Sequence, residues 1–99
     1  MKQATLDRIA PLLDVLRAHP ALLEVRPTEF QLHGRDFLHF HDEPDGVVAD
    51  VRLAEGRMSM PVSSSSEQAE FLERIDHTLL SVDIRVRDRR RRGHQQRDR

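Results

Sequence analysis

A chain of 99 residues is long enough for one modest core and too short for two independent ones. The absence of cysteine excludes disulfides, thiolate nucleophiles, thiolate zinc sites and thioether-attached haem. The formal net charge of −1 hides an asymmetry, because residues 1–84 carry eight Lys/Arg against fifteen Asp/Glu while residues 85–99 carry eight Arg against two Asp.

In chain order, Leu6, Ile9, Leu13 and Leu16 recur at spacings of three and four, which predicts an amphipathic helix. Thr5 is the expected cap, Pro11 is expected to kink the helix or shift its start, and His19-Pro20 marks its end. The period then changes. Segments 23–26, 28–32, 36–41, 47–53 and 57–62 read as short strands whose brief connections favour an antiparallel meander. His33-Gly34 suits a tight hairpin turn, and Asp42 to Gly46 reads as a loop.

Alternation places Val47, Ala49, Val51 and Leu53 on one face of their strand and Val48, Asp50 and Arg52 on the other. In the preceding strand Leu38 and Phe40 share one face while Phe37, His39 and His41 share the opposite one. Phe37 is therefore expected to be half exposed, to lie on a bulge, or to face a partner. Ser63 to Ser66 form a polar stop before Glu67 and Gln68, with a capping box pairing Ser64 with Glu67 or Ser65 with Gln68. An apolar stripe of Leu72, Ile75, Leu79 and Val82 extends the helix from about 66 to 82.

The expected architecture is α+β: a small antiparallel sheet of four to five strands with an N-terminal and a C-terminal helix packed on one face, forming a single domain over residues 1–84. Residues 85–99 lack core-forming periodicity and are expected to be a disordered arginine-rich tail. In that tail Arg89, Arg90, Arg91 and Arg92 are the candidates for contact with phosphate or an acidic partner. The opposite charge of the domain argues against nucleic acid as more than a weak partner.

No apolar run approaches the roughly 18 residues needed to cross a bilayer. Met1-Lys2-Gln3-Ala4 leads into charged amphipathic sequence, so no membrane association and a cytoplasmic location are expected. Glycine-rich phosphate loops, His-Glu-x-x-His and calcium-loop patterns are absent, and Ser63 to Ser66 lack the context of a nucleophile elbow.

The chemically suggestive stretch is Phe37 to Glu43. Strand alternation puts His39 and His41 on one face, and Asp50 on the next strand is a candidate third ligand. Together they form a two-histidine, one-carboxylate set for a divalent transition metal. No other cofactor is expected. Phe37, His39, His41, Asp50 and Arg52 form the candidate ligand or partner surface.

The run Thr28 to His41, Thr-Glu-Phe-Gln-Leu-His-Gly-Arg-Asp-Phe-Leu-His-Phe-His, followed by Val48-Ala49-Asp50-Val51, resembles small bacterial proteins of the "luciferase domain" family. A looser likeness continues through Arg57 to Val62 and the closing helix. The matching positions are Glu29, Phe30, Leu32, Gly34, Arg35, His39, His41 and Asp50. His33 stands where a glycine is usual, the charged helical insert is lacking between Leu53 and Arg57, and the last strand has no tryptophan. The resemblance implies the α+β fold and draws attention to the His-x-His strand, but implies no light-producing chemistry, and no flavin motif accompanies it.

The expected function is a non-enzymatic ligand-binding or protein-interaction module, with a homodimer as a candidate assembly. The alternative is a small metal-dependent enzyme centred on His39, His41 and Asp50, with Glu43 or Asp42 as a base.

Overall fold

A computed structural model describes residues 1–97, with side chains described as far as Ser81. The order of elements is α1 (Gln3–Ala18), β1 (Leu22–Arg26), β2 (Glu29–Leu32), β3 (Arg35–Glu43), β4 (Gly46–Leu53), β5 (Gly56–Pro61) and α2 (Ser65–Arg97). The five strands form one antiparallel meander in the order β1-β2-β3-β4-β5. The α+β class, the antiparallel sheet and the two flanking helices are as the sequence predicts. The helical backbone of α2 continues beyond the expected end near 82, through arginines of good helix propensity. Val82 and Arg89 to Arg92 lie outside the residues whose side chains are described, as does the rest of the expected tail.

The helix starts are settled by hydrogen bonds at the sequence ends. At α2, Ser64 Oγ accepts from the Glu67 N–H at 3.1 Å, and Glu67 Oε1 accepts from the Ser64 N–H at 2.9 Å, which is the first of the two expected capping boxes. At α1 the expectation of a Thr5 cap is corrected. The cap position is Lys2, whose own side chain makes no capping bond. Its backbone N–H instead donates to Asp42 Oδ2 at 3.0 Å. A carboxylate delivered from the end of β3 thus satisfies the helix start, where negative charge is favoured. The helix runs through Pro11, which sits on its exposed side.

Two residues with positive φ, His33 at 52° and Gly34 at 78°, form the β2–β3 turn. That pair of angles is what a two-residue type I′ hairpin requires, so the turn expected at His33-Gly34 is present. The expected loop from Asp42 to Gly46 is shorter than read, because the strands extend to Glu43 and resume at Gly46.

Leu38 pairs with Val51 and Phe40 with Ala49 across β3 and β4, so their side chains share one face of the sheet. These four, with Phe30, Val47 and Met60, belong to one core that also holds Ile9, Leu12, Leu13 and Leu16 of α1 and Phe71, Ile75 and Leu79 of α2. The Phe40 and Phe71 rings meet edge to face with centroids 6.1 Å apart. Gln68 ties the layers together, donating from Nε2 to the carbonyls of Arg8 and Val62.

Phe37 lies on a bulge. Phe30 pairs with Leu38 and Gln31 with Asp36, leaving Phe37 as the extra residue of β3. It is only 5% exposed, so of the three expected alternatives the bulge is the one present, and Phe37 meets the cleft on the open side only as a largely buried lining residue. The inserted residue is what lets an aromatic out of phase with Leu38 and Phe40 be buried.

Candidate metal centre on the open sheet face

The face of the sheet opposite the core carries His39 and His41 of β3, Asp50 of β4 and Ser59 of β5. The hairpin register sets this arrangement: His39 pairs directly with Asp50, His41 with Val48, and Asp50 with Ser59. His39 Nε2 lies 3.0 Å from Asp50 Oδ2, and His41 Nδ1 lies 3.4 Å from the same oxygen. The two imidazoles stand with centroids 5.7 Å apart and planes tilted by 39°.

One donor atom from each of His39, His41 and Asp50 falls within 4.8 Å of the others, a spacing that suits a shared metal ion. Donors bonded at about 2.0–2.2 Å to one divalent ion sit roughly 3–3.5 Å from each other. Both histidine-to-carboxylate distances already meet that condition. The group is capable of binding a divalent metal, as the His-x-His spacing and Asp50 predict. The side chains of His39, His41 and Asp50 are 53%, 35% and 33% exposed, so an ion here would retain positions open to solvent or ligand.

Two of the three potential ligands, His41 and Asp50, are oriented by a further group. Glu43 Oε1 lies 3.0 Å from His41 Nε2, leaving Nδ1 directed at Asp50. This is the carboxylate–histidine arrangement that fixes an imidazole for metal binding. Ser59 Oγ donates a short hydrogen bond to Asp50 Oδ1, so the carboxylate is held through one oxygen and presents the other. The Ser59 hydroxyl, chiefly, and the nearby His41 and His39 hold the Asp50 carboxyl below the usual carboxylate range despite some desolvation. An ionised carboxylate is the form that ligates a metal.

Of the two expected bases, Asp42 is placed elsewhere and Glu43 adjoins the site. Asp42 bonds Thr5 and the Lys2 N–H at the start of α1, and its carboxyl is lowered by those contacts. Glu43 is engaged with His41. Ser59 and the orienting part played by Glu43 were not anticipated. Counting pairs back from a turn at Ala54-Glu55 would have placed Ser59 opposite Asp50.

Beside the cluster lies a cleft of about 670 Å³, lined by His39, Asp50, Arg52, Arg57, Ser59 and Gln31 among others. Among the described residues no helix is long and apolar enough to cross a membrane. No protein-family model, curated protein or solved structure matches the chain.

Proposed function

We propose that this is a small metal-dependent enzyme whose divalent transition ion is held by His39 Nε2, His41 Nδ1 and Asp50 Oδ2. The observation that supports the reading is that one donor atom from each of these three residues lies within 4.8 Å of the others on one accessible sheet face. A bound divalent ion supplies Lewis acidity and a water of lowered pKa. The protein orients the ligands through Glu43 and Ser59 and leaves the cleft side of the site open for substrate. Asp42 is committed to the start of α1 and Glu43 to His41, so the activation of water at this site would come from the ion that His39, His41 and Asp50 would hold. A second reading, a binding module that works without metal, is favoured by the cleft alone and shares its lining residues.

Calorimetry on tagless protein tests the proposal. Zinc or nickel should bind with one-to-one stoichiometry, and His39→Ala or Asp50→Asn should abolish that binding while His33→Ala, in the β2–β3 turn, retains it. Equal losses for all three variants, or no saturable binding stronger than about 100 μM, a free energy of roughly 5.5 kcal/mol, would overturn the metal site. Ligand capture by metal-free protein would then favour the binding module.

A further inference from the structure

Arg52 of β4 stands directly opposite Arg57 of β5. The pair lies two positions along the strands from Asp50 and Ser59, on the same face as both. Both arginines are exposed and both line the cleft that includes His39 and Asp50. Like charges directly opposite one another destabilise a sheet. Among the described residues neither guanidinium lies within 4.0 Å of a carboxylate, whereas Arg17, Arg26 and Arg74 each have such a neighbour. The sheet thus carries an uncompensated pair of cations at the edge of the candidate metal centre.

We infer that Arg52 and Arg57 form the anion-recognising end of the cleft, and that the ligand taken there is a small molecule bearing a phosphate monoester. The inference rests on the metal-site reading for the other end of the ligand. Guanidinium groups present a planar fork that matches phosphate oxygens. A monoester carries about −1.5 to −2 charges near neutral pH, so it balances two guanidinium groups where a carboxylate balances only one. The other carboxylates of the cleft do not fill the role. Glu29 lies 3.9 Å from Arg26, Asp50 faces the histidines, and Asp36 is not within 4.0 Å of either arginine. Two residues of strand, about 6.6 Å, separate Asp50 from Arg52. A phosphoryl group held by the arginines would share the cleft and the sheet face with the candidate metal donors. The cleft volume of about 670 Å³ falls in the range of small-molecule sites.

Phenyl phosphate is a suitable probe, titrated into tagless protein with one equivalent of zinc and into chelator-treated protein, with acetate as the monoanionic control. Phenyl phosphate should bind saturably and more tightly than acetate. Arg52→Gln and Arg57→Gln should each weaken it by about tenfold to a hundredfold without weakening zinc binding, since each removes a positive charge near the ion. Each substitution should also raise the melting temperature of the ligand-free protein, because it relieves the repulsion. Wild-type affinity for phenyl phosphate in the double variant, or equal affinity for acetate, would overturn the inference. If zinc binds and phenyl phosphate does not, the phosphate site fails and the metal site stands. If phenyl phosphate binding depends on both arginines in protein that takes up no zinc, the metal reading fails and the arginine site stands.

Discussion

Arg17, at the end of α1, grips Glu24 of β1 through two parallel bonds, Nε to Oε1 at 2.8 Å and Nη2 to Oε2 at 3.0 Å. Glu24 also accepts from the Thr28 N–H at 3.2 Å, so one carboxylate anchors the first helix and the β1–β2 turn. The Arg17 bonds, chiefly, hold the Glu24 carboxyl below the usual range. A carboxyl lowered in the folded state contributes stability above its ordinary pKa and loses that contribution as pH falls through the folded value. We expect wild type to lose more stability than Glu24→Gln on acidification below about pH 5, and the two to run parallel above it. Solvent around Arg17, 46% exposed, limits the difference to about 1 kcal/mol. Melting temperatures across a pH series check this.

The orienting groups of the metal centre should matter without being ligands. Glu43→Gln and Ser59→Ala are each expected to weaken zinc or nickel binding by about 10–100-fold while leaving the melting temperature of metal-free protein nearly unchanged. Calorimetry reads the first effect and thermal unfolding the second.

Binding of a transition ion should also weaken on acidification, because protons compete with the metal for its ligand atoms. Titrations at a series of pH values in one non-chelating buffer measure it, and a flat profile would count against histidine ligation.

Burial of Phe37 gives a clear expectation for its substitution. Phe37→Ala should cost about 3–5 kcal/mol of folding stability, read from the denaturation midpoint, with no dependence on protein concentration that a lost dimer contact would bring.

At Gly46, φ is 149° and a Cβ would collide with Ser63 Oγ, which accepts from the Val47 N–H. Gly46→Ala should therefore destabilise by at least about 1–3 kcal/mol from backbone strain, again measured by chemical denaturation.

What the sequence discloses here is mostly what local chemistry controls. A type I′ turn at His33-Gly34 and a capping box at Ser64 and Glu67 each depend on residues a few positions apart, so composition and spacing suffice to find them. Alternation likewise places His39 and His41 together on one face. Local sequence places Asp42 in a loop near the site, whereas its role is set by a helix start 40 positions away. Phe37 could be narrowed to three alternatives, but the choice of a bulge depends on how β2 pairs with β3, which alternation within β3 does not contain. Ser59 and Arg57 enter the site through the register of β5, fixed by where the Ala54-Glu55 turn falls. Once strands are treated as paired instead of single, both become visible.

All three candidate metal donors fall between His39 and Asp50, within a single hairpin closed at Pro44-Asp45. Slipping β4 by one residue against β3 would exchange the faces of Asp50 and Val51 and leave the histidines facing a valine. An ion at this position would therefore act as a register clamp on two neighbouring strands of the sheet, rewarding the correct pairing and no neighbouring one. Its influence should be graded across the sheet, slowing amide exchange most in β3 and β4 and least in β1, the edge strand furthest from it. Such a hairpin needs no distant part of the chain to close, so the ion could engage during folding before either helix has docked.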